Sequence, residues 1–227
     1  MVQEYPKRLV SKFFGNTSES YEKVVKLTTF GRDSHWKKEI IKRITECNSI
    51  LELACGTGIL TFMMAERFPH VNITSVDITK GYLGIAKSKL KDHHKISFLL
   101  YDAEQLNLDE RFDLVISSYI PKYCVPDILI GKCLSHLNTG GKIILHDFAY
   151  PTSKPIRFLW NLYFTVLQMV GLFVPDWKDT FKNLPKLIRS ANWVDQYRGI
   201  IEKKGLNAEI QYLTSGCSAI LTCTKNV

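Results

Sequence analysis

Residues 49–58, Ser49-Ile50-Leu51-Glu52-Leu53-Ala54-Cys55-Gly56-Thr57-Gly58, decide how this chain folds. The segment 49–55 reads as a buried strand, and the small residues Ala54, Gly56 and Gly58 stand where it turns into a helix running from about Gly58 to Phe68. Outward from that turn, short apolar runs alternate with helical stretches, as in βαβ units with a mainly parallel sheet. The strands are 71–77, 96–102, 112–119 and 142–149, with helices over Lys80 to Leu90 and about Asp127 to Leu137 between them. Asn138-Thr139-Gly140-Gly141 reads as the turn closing the second of these helices. The tail changes character: residues 189–205 read as one helix ending at Gly205, and 207–213 with 217–224 alternate as two strands about Thr214-Ser215-Gly216. That is a hairpin signal, and a hairpin is antiparallel. The expected architecture is an α/β fold with seven strands, mainly parallel, and an antiparallel strand in the C-terminal hairpin.

Only small residues let a ligand approach the backbone of the first turn. A dinucleotide would need G-x-G-x-x-G, but the third glycine position counted from Gly56 is Thr61, and Glu52 stands beside the place of a pyrophosphate. Two negative charges there would repel. A phosphate-free cation suits the loop better, and S-adenosylmethionine carries a sulfonium and an ammonium that a carboxylate can stabilise directly or through water. The second strand ends in Asp77, 21 residues after Gly56, the spacing of an acid that binds a ribose diol. The third ends in Asp102-Ala103, where the acid can accept from an adenine amino group and the alanine leaves room for the ring. Either acid alone could be a helix or turn cap. Three acids on consecutive strands, at the edge where open α/β sheets bind ligands, favour the cofactor.

The 227 residues suffice for one sizeable domain, which needs no disulfide or metal staple. Six cysteines include no C-x-x-C pair and the first ten residues lack a signal-peptide run, which predicts a reducing, cytoplasmic compartment. The scattered histidines, with only His93-His94 adjacent, offer no metal ligand spacing. The net charge of +8 divides into +4 over residues 1–46, −2 over 47–121 and +6 over 122–227. An acidic middle with basic flanks admits nucleic acid, an anionic membrane or an anionic substrate, or serves solubility alone. No interleaved aromatic-basic RNA module accompanies the charge, so nucleic acid is not expected as a partner.

With these residues in place the chain resembles the class I S-adenosylmethionine-dependent methyltransferases, and among them the ubiquinone/menaquinone biosynthesis C-methyltransferases (UbiE-type). ILELACGTGILT (50–61) is similar to that family's LDLACGTGD, VDITKGYLGIAKSKL (76–90) to its ribose-binding segment and YDAEQL (101–106) to its adenine segment. The N-terminal Phe14, Tyr21-Glu22, Leu27, Gly31 and Trp36-Lys37 fall in register with its F…YD…L…G…WR pattern, and residues 213–219 look like its LTxGIxA ending. The resemblance implies a Rossmann-like sheet with helices on both faces. It also implies cofactor contacts at Gly56, Thr57, Gly58, Asp77, Asp102, Ala103 and Ser118, with Tyr21 over the cofactor; Glu52, Ala54 and Ile78 complete the candidate set on the same segments. Three departures lie on the expected acceptor side: Lys122-Tyr123 replaces an Arg-Asn pair, Val25 an asparagine, and residues 185–188 an ESI segment.

The acceptor implied is a small molecule, foremost a polyprenylated quinol methylated on carbon, with O- or N-methylation of another small molecule or lipid as the alternative. The expected layout is a helical cap (1–46), a cofactor-binding core (47–147), a helical insert over the acceptor side (148–188) and a final helix and hairpin (189–227). Within the insert, residues 156–174 are apolar except for Arg157, Asn161, Thr165 and Gln168. Their spacing of four, four and three places them in one narrow polar stripe of a helix, which argues against a membrane span. Such a helix serves as core, as a lid over an isoprenoid pocket, or as a peripheral contact at the inner face of a membrane. A quinol carbon becomes nucleophilic when the neighbouring hydroxyl loses its proton. His146 and Asp147, at the end of the fifth strand, are the candidate bases, although alternation sends them to opposite faces. Lys122 is the candidate to stabilise a phenolate, and Arg189 to neutralise acceptor charge. Whether the chain forms a homodimer stays open.

Overall fold

The structure, a computed structural model, describes residues 8–90 and 93–226. The first seven residues, where the expected cap begins and where a leader was sought, lie outside that description. The order along the chain is α1 (Arg8–Phe14), α2 (Tyr21–Thr28), α3 (Arg32–Ile41), β1 (Ser49–Leu53), α4 (Ile59–Arg67), β2 (Asn72–Asp77), α5 (Lys80–Lys89), β3 (Ile96–Leu100) and β4 (Phe112–Ser118). A 3-10 turn (Pro121–Tyr123) leads to α6 (Pro126–Ser135), β5 (Leu137–Phe148), α7 (Lys154–Val170), α8 (Pro175–Ala191), α9 (Trp193–Lys203), β6 (Ala208–Leu213) and β7 (Ser218–Thr224).

The seven strands form one sheet in the order β3-β2-β1-β4-β5-β7-β6. All pairs are parallel except those of β7, which runs against both β5 and β6. From β1 the chain builds outward through β2 and β3, then returns to lay β4 on the other side of β1. The strand order reverses between β1 and β4, and ligands of open α/β sheets bind in the crevice beyond that point. Alternation supplies both cores: Leu51 and Leu53 of β1, Val115 of β4 and Ile143 and Leu145 of β5 pack on one face with Leu129, Ile130 and Tyr197 of α6 and α9. Ile50, Leu114, Ile116 and Ile144 pack on the other with Trp36, Ile40 and Met64 of α3 and α4.

Two local expectations are corrected. Residues 138–141 are not a turn after a helix but part of β5, which starts at Leu137 opposite Phe112 and shifts register before Lys142 meets Leu114. Gly140 takes φ +76° there, and a Cβ on Gly141 would stand 2.9 Å from Asn138 O, so the glycines serve a bulge. The tail helix is also broken: Asn192, in the left-handed region at φ 35°, ends α8 and begins α9.

Candidate active site

The crevice at the strand ends holds three joined spaces. A cleft of about 110 Å³ is lined by Tyr21, Ala54, Gly56, Asp77, Ile78, Asp102, Ala103 and Ser118, eight of the residues singled out for the cofactor. Asp77 Oδ2 accepts the Gly56 N–H at 2.8 Å and its Oδ1 the Thr79 N–H at 2.7 Å, so the second strand end holds the first loop in place. Gly56 has φ +59°, and a Cβ there would stand 3.8 Å from the Tyr82 ring, inside the space a ligand would use. Ala54 is also left-handed, at φ 55°. Strain at a non-glycine residue is retained where the surroundings hold it, commonly at a binding site. Burial raises the Asp77 carboxyl above the ordinary range, against the pull of its backbone donors. Asp102 Oδ1 accepts the Glu104 N–H at 3.0 Å, which fixes the carboxylate at the third strand end.

Beside this cleft a smaller one is lined by Tyr21, Lys37, Glu52, Gly56, Thr57 and Ser118 among others. Glu52 is buried, with Oε2 accepting from Thr61 Oγ1 at 2.5 Å and from Ser75 Oγ at 2.8 Å. Burial pushes its carboxyl up to about 7, so near neutrality it is poised between charged and neutral. Thr57 donates to Glu22 Oε1 at 2.6 Å, and Lys89 ion-pairs with the same oxygen, which ties α2 to the cofactor loop. Gly58 lines neither cleft: its missing Cβ would lie 3.1 Å from Ala86 Cβ and 3.3 Å from Leu90 Cδ1. It permits the helix packing rather than touching a ligand, which corrects its expected contact.

The third space is a cavity of about 510 Å³ between α2, α7 and α8. Its wall is mainly aromatic and aliphatic, including Phe14, Tyr21, Phe148, Trp160, Tyr163 and Trp177, with Lys122 as one of few charged groups. Lys122 and Asp147 form an ion pair at 2.7 Å, with side chains 2% and 0% exposed. Asp147 also accepts the Lys122 and Phe148 N–H groups, at 3.0 and 2.7 Å. Lys122 Nζ donates to Tyr119 O at 2.9 Å and lies 4.5 Å from the Tyr123 ring centroid. Burial drives both partners toward neutrality, raising Asp147 and lowering Lys122 despite their pairing.

Neither expected base faces the cavity. His146 is fully buried, one ring nitrogen 2.9 Å from Ser118 Oγ and the other 2.7 Å from Ser218 Oγ, with Trp36 and Tyr119 against the ring. Burial depresses its basicity well below the ordinary imidazole value. It therefore holds Ser118 in place rather than taking a proton from an acceptor. Asp147 is equally enclosed and acts through Lys122. Alternation along β5 sends the two to opposite faces, as expected, and there the 3-10 turn covers one and α3 the other. Arg189 donates to Asn161 Oδ1 at 2.7 Å and lies over Trp160, so it fastens α8 to α7.

Sequence reasoning missed Tyr119. It follows Ser118 at the end of β4, is left-handed at φ 76°, and lines all three spaces, a property shared with Tyr21. Its hydroxyl donates to Asp33 Oδ1 at 2.7 Å, and Asp33 also ion-pairs with buried Lys37. The signal available was its position at a carboxyl strand end; nothing marked Asp33. Among the described residues no cluster of three or more metal-ligating side chains occurs.

A switch-point crevice with carboxylates at successive strand ends, a loop open to close approach and no phosphate cradle define an S-adenosylmethionine-dependent methyltransferase. The chain belongs to the ubiE/COQ5 methyltransferase family, whose pattern matches residues 2–225. It is similar to a demethylmenaquinone methyltransferase of Thermotoga maritima, 25% identical over 216 residues that make up 91% of this chain and 92% of the relative. In fold it matches the plantazolicin methyltransferase BpumL, with TM-score 0.65 and 12% identity over 98% of this chain and 95% of that one. It also matches phosphoethanolamine N-methyltransferase 2 of Haemonchus contortus, with TM-score 0.63 and 14% identity over 85% of this chain and about half, 53%, of that longer one.

Proposed function

We propose that this methyltransferase transfers a methyl group to a ring carbon of a polyprenylated quinol precursor. The observation that carries the reading is the meeting of both cofactor clefts with the large apolar cavity at Tyr21 and Tyr119. S-adenosylmethionine supplies an electrophilic methyl on its sulfonium, and the protein's part is to align donor and acceptor and shape the charge around them. Asp77 and Asp102 bind the ribose and adenine, and Glu52 faces the positive end. The aromatic wall takes a flat ring, and the apolar space beyond takes an isoprenoid chain. Two of the three Lys122 N–H groups are committed to Tyr119 O and Asp147; the third serves an ionised ring hydroxyl, whose charge activates the adjacent carbon. The demethylmenaquinone activity in the name of the Thermotoga maritima relative supports the same acceptor class. Such an acceptor resides in a bilayer, so the reading includes peripheral contact with a membrane; no helix among the described residues is long and apolar enough to cross one. The test is mass spectrometry of products from purified protein, cofactor and a panel of demethylquinols, phospholipid amines and small carboxylic acids. A quinol gaining one methyl on carbon is expected. Turnover of another class while quinols stay unchanged would overturn the proposal.

A further inference from the structure

The outer side of α7 is apolar where a helix in water carries charge. Phe158, Leu162, Val166 and Met169 are exposed along one stripe, continued after the helix by Leu172 and by Phe173, which is 86% exposed. At ~1.5 Å per residue the helical part of the stripe, from Phe158 to Met169, is about 16 Å long. The polar stripe beside it is partly committed to protein partners, since Arg157 Nε donates to Pro151 O and Asn161 accepts from Arg189, while Thr165 and Gln168 are exposed. Exposed apolar patches of this kind mark contact surfaces.

Charge and continuity identify what the stripe meets. From Pro151 to Pro175 the only charged residues are Lys154 and Arg157, both basic. On α8, Lys178, Lys182 and Lys186 recur every four residues, are exposed, and make no ion pair among the described residues. A long apolar stripe on α7, with a row of exposed lysines on α8 packed against it, has the make-up of a helix pair that lies in the headgroup region of an anionic bilayer. The stripe is also continuous with the acceptor cavity, because Leu159 of α7 and Phe30 both are exposed and line that cavity. The Phe30 and Tyr163 rings, 5.9 Å apart, bring α7 and the segment after α2 together along that cavity.

We propose that α7 and the turn at 171–174 dock into the surface of an anionic phospholipid bilayer, with the lysine row of α8 on the headgroups. The cavity mouth then opens at the acyl boundary, and an acceptor with a long isoprenoid chain enters without crossing water. That use of the contact rests on the acceptor reading above, whereas the contact itself does not.

Co-sedimentation with phosphatidylcholine vesicles, with and without phosphatidylglycerol, tests it. Wild type is expected to bind the anionic vesicles, and Leu162→Asp/Met169→Asp to lower the partition coefficient by about tenfold or more. Lys178→Glu/Lys182→Glu is expected to abolish the preference for anionic vesicles. Phe173→Ser, outside the helix, is expected to act in the same direction as the paired aspartates and guards against misfolding. None of these residues lines a cavity, so cofactor affinity by calorimetry and turnover of a water-soluble short-chain acceptor should stay within twofold, while turnover of a vesicle-embedded acceptor falls with binding. If no quinol is methylated but the vesicle results hold, the acceptor reading fails and the docking stands. Wild type left in the supernatant, or variants binding as wild type does, would overturn the docking. So would a dimer in sedimentation equilibrium that Leu162→Asp/Met169→Asp dissolves, since the face would then belong to a second copy.

Discussion

Asp147→Asn probes the buried pair that sets the floor of the acceptor cavity. Asp147 is fully enclosed and accepts the Lys122 ammonium at 2.7 Å as well as two backbone N–H groups. The amide keeps the shape but removes the charge, leaving a buried ammonium uncompensated. Breaking such a pair on one side costs about 3–5 kcal/mol. In a domain of this size each kcal/mol moves the thermal midpoint by about 2–4 °C, so the loss is of order 10 °C. Lys122→Met strands the carboxylate and should cost as much. Burial pushes both groups toward neutrality even while paired, and replacing a buried ion pair by apolar residues of similar volume is often neutral or stabilising. Lys122→Met/Asp147→Leu therefore regains most of the lost stability, giving a favourable coupling of several kcal/mol in a double-mutant cycle. The same variant should bind cofactor normally and fail to methylate its acceptor. Differential scanning calorimetry measures the first part and product formation the second. Equal midpoints for Asp147→Asn and wild type, or full turnover by the double variant, would refute the reasoning.

Glu52 sets a pH dependence. Its folded carboxyl titrates at about 7 against an ordinary 4.5, so the neutral form stabilises the fold, fully so below about pH 4.5, and that contribution is lost as pH rises through 7. At 1.36 kcal/mol per pH unit the slope amounts to about 3 kcal/mol, and urea titrations of Glu52→Gln should show it removed. Asp77→Ala should weaken cofactor binding about 10- to 100-fold by calorimetry, through loss of a charged acceptor and release of the Gly56 loop. Gly58→Ala places a Cβ 3.1 Å from Ala86 Cβ at φ +81° and should lower stability by about 1–2 kcal/mol in chemical denaturation, with cofactor affinity nearly unchanged in the folded fraction.

The strands, their mainly parallel run and the cofactor edge were legible because all follow from local rules. Period-2 burial sets the strands, and a parallel βαβ unit brings each strand's carboxyl end to the same edge, so Glu52, Asp77 and Asp102 had to converge once the strands were read. What stayed hidden depends on contacts distant in sequence. Alternation put His146 and Asp147 on opposite faces, as observed, but both faces of β5 are covered at that height, by Trp36 and Ser218 around the imidazole and by the 3-10 turn over the carboxylate. Gly140 and Gly141 signal a left-handed or crowded backbone whether that backbone is a helix cap or a bulge. Only the pairing of Leu137 with Phe112 decides for the bulge. The left-handed Tyr119 has no marker in its residue type, and the partner of its hydroxyl, Asp33, lies 86 residues away in the chain.

In helix α7 the polar stripe stays at the surface, with Thr165 and Gln168 exposed, but it is not the whole of the exposed side. The four-four-three spacing of Arg157, Asn161, Thr165 and Gln168 places them on one side correctly, but periodicity does not say how much of the helix beyond that stripe is left exposed. Burial is decided by the partners, and α8 brings Arg189 to Asn161 while the aromatic side of α7, through Trp160 and Phe164, closes the acceptor cavity. Two apolar surfaces remain on one helix, and the chain can bury only one of them. The inward one has a cavity to line. The outward one is left exposed while the helix packed against it carries a row of exposed lysines, a costly arrangement in water and a favourable one at an anionic lipid surface. That asymmetry follows from the packing of α7 against α8, and it is why the contact at a bilayer is argued from the folded chain and not from hydropathy.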